Sequence, residues 1–93
     1  MAQHYFDSAT STGVTVGATT TQIVASNSGR RWICICNDST ADMYLSLGEA
    51  AVMNKGVLLV PGGTIVIDGD SPFKGVINGI CSAGGKNACV SEA

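Results

Sequence analysis

Turn residues punctuate this chain at short, regular intervals, and that spacing restricts the fold more than any other feature. Glycine or Asn/Asp/Ser clusters fall at Gly17, Asn27-Ser28-Gly29, Asn37-Asp38-Ser39, Gly48, Asn54-Lys55-Gly56, Pro61-Gly62-Gly63, Gly69-Asp70-Ser71-Pro72, Gly75 and Gly84-Gly85. Glycine reaches backbone conformations that other residues resist, and Asn, Asp and Ser side chains bond to nearby backbone in turns. Turns about every 8–12 residues leave room for strands and mark a sandwich or barrel. No longer segment keeps a clean helical period of about 3.6 residues. The segments between turns are rich in Val, Ile, Thr and Leu, which suit a pleated, half-buried surface. They lie at 14–16, 20–25, 31–36, 42–47, 56–60, 64–68, 75–80 and 88–91. The expectation is an all-β fold, a small antiparallel β-sandwich or barrel of about eight short strands. Residues 1–12 are polar and non-periodic and read as an N-terminal arm, with a single domain over 13–93. Residues 47–53 read as a loop with room for one helical turn. Pro61-Gly62-Gly63 and residues 82–87 read as hairpin loops.

The strand faces carry the first functional information. Successive side chains of a strand point to opposite faces. Over residues 31–36, Ile33 and Ile35 share one face, and Trp32, Cys34 and Cys36 share the other. Residues 57–60 and 65–67 are also apolar on both sides. A solvated outer face would alternate apolar with polar residues. A chain of 93 residues builds one thin core. The second apolar faces therefore need a cover, supplied by loops, by the arm or by another chain. Charged residues make up 13% of the chain, against about 25% in typical domains, which fits a surface that is not wholly turned to bulk water.

Several function classes find no support. The chain has five basic residues, of which only Arg30 and Arg31 are adjacent, and its net charge is −2. Displacing phosphate counterions takes a cluster of cations, so a nucleic-acid partner is not expected. The longest strongly apolar run, Val57-Leu58-Leu59-Val60, is far below the ~20 residues of a membrane helix, so no membrane partner is expected. The N-terminal residues lack the charged and apolar stretches of a secretory leader, from which synthesis in a cytoplasm is expected. In that setting Cys34, Cys36, Cys81 and Cys89 read as free, buried thiols. A Cys81–Cys89 hairpin disulfide is the alternative, and the C-x-C and C-x7-C spacings do not match a zinc site.

Catalytic candidates are equally sparse. The Asp38/Asp42 and Asp68/Asp70 pairs read as turn-capping carboxylates rather than cation ligands. His4 is the single histidine and has no nucleophile partner recognisable by motif. No phosphate-binding glycine motif is present. Neither enzymatic activity nor a cofactor is expected. Of the five aromatic residues, Tyr5 and Phe6 on the arm, with Trp32 and Tyr44, are the candidates for an interface. Trp32 and Tyr44 also lie on neighbouring predicted strands, where they would form a sugar-binding platform.

Over residues 14–90 a sequence of features carries a resemblance. Thr19-Thr20-Thr21-Gln22-Ile23-Val24-Ala25 is followed by Arg30-Arg31-Trp32-Ile33-Cys34-Ile35-Cys36-Asn37-Asp38-Ser39. Then come Asp42-Met43-Tyr44-Leu45-Ser46-Leu47-Gly48, Gly56-Val57-Leu58-Leu59-Val60-Pro61-Gly62-Gly63 and a closing hairpin. The chain resembles the small virion-associated β-proteins of tailed phages, the capsid decoration or cement proteins. The resemblance is diffuse, and the four cysteines are not part of its pattern. It implies a structural protein on the capsid exterior that binds the major capsid protein and stabilises the shell. It also implies self-association, as a homotrimer. A phage tail, fibre or head-binding module that touches host glycans is the alternative. A cellular oligomeric β-module or small enzyme subunit is another.

Overall fold

The β-branched and aliphatic segments between the turns form eight strands in a computed structural model that describes residues 9–69 and 72–93. They are β1 (Thr10–Val16), β2 (Thr21–Val24), β3 (Trp32–Asp38), β4 (Met43–Leu47), β5 (Val57–Leu59), β6 (Thr64–Asp68), β7 (Ile77–Cys81) and β8 (Lys86–Glu92). No helix occurs among the described residues, and residues 48–56 form turns and bends. The strand count and class agree with the all-β sandwich that the turn spacing predicts.

The topology follows from one long antiparallel ladder. Strands β4 and β5 pair across the loop 48–56, and β3 pairs with β6, β2 with β7 and β1 with β8. The ladder rolls up so that β3 also pairs with β8 and β4 with β7. The result is two four-stranded sheets, ordered β1-β8-β3-β6 and β2-β7-β4-β5. This strand order is that of an eight-stranded jelly roll, two sheets packed face to face.

Two local expectations are corrected. Pro61-Gly62-Gly63 and residues 82–87 are not hairpin loops, because each carries the chain from the second sheet to the first. Turn chemistry reports a reversal but not the sheet that receives the next strand. Residues 10–12 belong to the domain rather than to an arm: Thr10, Ser11 and Thr12 pair with Glu92, Ser91 and Val90. Their short polar side chains hide the strand from a hydrophobic pattern, because this edge of the sheet is solvated.

Alternation decides what is buried. Val16, Ile33, Ile35, Ala88 and Val90 project inward from the first sheet. Ile23, Met43, Leu45, Leu59, Ile77 and Cys81 meet them from the second. Gly79 of β7 lies where Ile23 and Leu45 close over the strand, so a Cβ there would sit 2.5 Å from Ile23 Cδ1. Gly56, at φ +87°, brings the backbone entering β5 against the carbonyl of Leu45, an approach no other residue permits.

Candidate interaction surface

One end of the sandwich is tied by a charged side chain. Arg30 precedes β3 and is completely buried. Its Nε donates to Glu92 Oε2 at 2.7 Å, Nη1 to the carbonyls of Phe73 and Gly75 at 3.0 Å each, and Nη2 to the Ala25 carbonyl at 2.8 Å. The planar guanidinium thus joins the exit of β2, the approach to β7 and the end of β8. Every buried side-chain nitrogen and oxygen among the described residues has a hydrogen-bond partner. The turn after β3 is organised similarly. Buried Asn37 donates from Nδ2 to the carbonyls of Ala41 (2.7 Å) and Leu59 (2.8 Å), and Ser39 Oγ donates to Asn37 Oδ1 at 2.6 Å. Asp38 does not cap this turn. Its Oδ2 instead accepts from Asn87 Nδ2 on β8 at 3.2 Å. Asp70 lies outside the described residues, as does His4. No group of three or more His, Cys, Asp and Glu side chains among the described residues is arranged to hold a metal ion.

The two outer faces differ. Across the second sheet lies the loop 48–56, anchored at three points. Asn78 Nδ2 donates to the Glu49 carbonyl at 2.6 Å, the Ala51 N–H to Thr20 Oγ1 at 2.8 Å, and Tyr44 Oη to Asn54 Oδ1 at 3.2 Å. Ala51 is 6% exposed, and Ile80, cross-strand from Tyr44 on this outer face, is 8% exposed. The loop thus covers the outer face of β4 and β7, but not the doubly apolar segments singled out in the sequence: residues 31–36 and 65–67 lie in the other sheet, and Leu58 and Val60 stay about half exposed.

The first sheet keeps its outer face in contact with solvent. Trp32, Cys34 and Cys36 alternate with inward Ile33, Ile35 and Asn37 and are half-buried. Cys34 lies opposite Val66 on β6 and Ser91 on β8; Cys36 lies opposite Thr64 and Cys89. Val66 is 51% exposed. Beyond it β6 is an edge strand, and β5 is the facing edge of the second sheet. The large hydrophobic side chains that stay exposed among the described residues are Leu47, Val52, Leu58, Val60 and Val66. They do not share one face: Leu58, cross-strand from Tyr44, points outward from the second sheet, Val52 stands on the loop 48–56, and Val66, cross-strand from Cys34, points outward from the first sheet on the same face as Cys34 and Trp32.

The predicted site residues are thus separated. Trp32 faces outward from the first sheet and Tyr44 outward from the second, so they form no common platform. Tyr5 and Phe6 lie outside the described residues. All four cysteines are free, but only Cys81 is buried, because Cys34, Cys36 and Cys89 occupy outward positions. Burial pushes the Cys81 thiol pKa up, with Lys86 drawing it partly back. Cys81 and Cys89 stand in different sheets, one facing the core and the other solvent, so the hairpin disulfide has no geometry to form in. Arg30 and the Asn37 network were not anticipated: an Arg-Arg pair and an Asn-Asp-Ser turn carry no local mark of burial. No known protein family matches this chain, and no curated protein or solved structure matches it.

Proposed function

We propose that the chain is a structural module of a phage particle. In this reading it is a capsid decoration protein on the shell exterior, self-associating as a homotrimer and gripping the major capsid protein. The observation that carries this reading is the uncovered outer face of the first sheet, where 51% exposed Val66 on the edge strand β6 shares a face with half-buried Cys34 and Trp32. Contiguous exposed apolar surface on a small domain marks a contact surface. A free sheet edge offers backbone groups for pairing with a partner. Jelly rolls serve in viral capsids and also in lectins, an analogy of fold that supports the reading without assigning it. The glycan-binding alternative loses the Trp32–Tyr44 platform on which it rested.

The test is reconstitution on undecorated tailed-phage capsids, imaged with and without the purified chain. Added density at regular surface positions is expected, and a Val66→Lys chain that folds normally should leave those positions empty. Bare capsids at saturating wild-type chain would overturn the proposal.

A further inference from the structure

Three of the four thiols share the outer face of the first sheet, and one pair of them stands in direct register. Cys36 on β3 is the cross-strand partner of Cys89 on β8. The type of pairing is readable from the end of the ladder. Trp32 N–H donates to the Ala93 carbonyl at 3.0 Å, and Ala93 N–H donates back to the Trp32 carbonyl at 2.9 Å. Antiparallel partners alternate between exchanging and not exchanging such bonds. Counting by twos from Trp32/Ala93 makes Cys36/Cys89 a bond-exchanging pair, with Cα atoms about 5.5 Å apart. Disulfides form at Cα separations of about 4.4–6.8 Å. The competing pairs fit less well. Cys34 and Cys36 are two residues apart on one strand, about 6.6 Å at the usual strand rise. Cys34 reaches Cys89 only along the diagonal, about 7–8 Å. Cys81 is in the other sheet and faces the core.

We infer that Cys36 and Cys89 are a reversible oxidation site that closes into a cross-strand disulfide when a small-molecule disulfide is supplied. Cys89 is the entry point, being exposed, whereas Cys36 is half-buried. The Cys89 thiolate attacks one sulfur of the small disulfide and expels the first thiolate, leaving a mixed disulfide. The Cys36 thiolate then attacks the Cys89 sulfur and expels the second. The two protein thiols have been oxidised, the small disulfide has been reduced to two thiols, and the two protons end on those products. Little holds the sulfurs apart. Cys36 Sγ reaches the Gly62 carbonyl at 4.0 Å, and Cys89 Sγ lies 3.8 Å from Asp38 Oδ2 and 3.6 Å from Asn87 Nδ2, all weak contacts. Closure does strain the strands. Facing Cβ atoms at bond-exchanging pairs stand near 5.5 Å, whereas a disulfide needs about 3.5–4.5 Å. Strained, exposed disulfides are the readily reduced ones, so the bridge opens again under a thiol reductant.

The experiment is incubation of the folded wild-type chain with oxidised glutathione, followed by acid quench, alkylation and peptide mapping. Expected is a monomeric product lighter by two hydrogens, with the Cys36 and Cys89 peptides joined, restored to the starting mass by dithiothreitol. Cys34→Ser should still form it; Cys36→Ser should stop at glutathione on Cys89. A map that joins Cys34 instead, joins two chains, or shows separate glutathione adducts on Cys36 and Cys89 would overturn the inference. The wild-type map decides even if a variant misfolds.

Discussion

Arg30 and Arg31 are chemically identical neighbours with opposite fates, the first wholly buried and the second exposed. Taking a guanidinium out of water is tolerated only when its donors are satisfied and its charge is paired. Arg30 meets both conditions through Glu92 and three carbonyls. Truncating it strands a carboxylate and three acceptors at the end of the sandwich. Arg30→Met should therefore cost about 3–5 kcal/mol, the range for removing one partner of a buried pair. Urea denaturation followed by tryptophan fluorescence reads this as a lowered midpoint. Arg30→Lys should recover little of it, because an ammonium cannot reach the same planar set of acceptors. A midpoint within experimental error of wild type in Arg30→Met would show the network to be dispensable.

Strand β7 is an inner strand, paired with both β2 and β4 and lining the core. Gly79 stands at its centre, opposite Thr21 and Leu45, without a positive φ. Space alone requires glycine there. A methyl group would enter the positions held by Ile23 Cδ1 and by Leu45 Cδ2, 2.5 and 3.3 Å from the new Cβ. Overpacking of this kind costs about 1–3 kcal/mol. Gly79→Ala should lower the thermal midpoint accordingly. Gly84, where an added Cβ meets nothing within 4 Å, is the control: Gly84→Ala should leave it unchanged. Equal midpoints for the two variants would contradict the close approach at Gly79.

For the molecule as a whole, the radius of gyration of 12.8 Å matches the roughly 13 Å expected of a folded chain of about this size. Within that volume the loop 48–56 roofs the second sheet, while the outer face of the first sheet has no such cover among the described residues. Burying exposed aliphatic surface contributes roughly 25 cal/mol per Å², offset in part by the entropy of association. Identical chains that associate usually close into a point group. The resemblance to capsid decoration proteins makes that group threefold, so on the proposed function light scattering at micromolar concentration should give three times the 9.4 kDa chain mass for the wild type. Val66→Glu, which places a carboxylate on a side chain now 51% exposed, should reduce it to one chain. A wild-type mass of one chain would exclude self-association in solution.

Strand positions were legible because they depend on neighbours in the chain. Turn residues and β-branched runs located all eight strands, and residues 64–68 form a strand over the whole predicted span. Inward and outward faces in residues 31–36 followed from the period of two. The sheet that each strand enters did not follow, because it depends on pairings such as Thr10 with Glu92 at opposite ends of the chain. For the same reason Pro61-Gly62-Gly63 was recognisable as a turn but not as a passage between sheets. The burial of Arg30, the separation of Trp32 from Tyr44 and the register of Cys36 with Cys89 are all consequences of the rolled ladder. Local chemistry sets where a chain bends and which side chains avoid water. Which distant groups meet is set by how the two ends of the ladder close over one core.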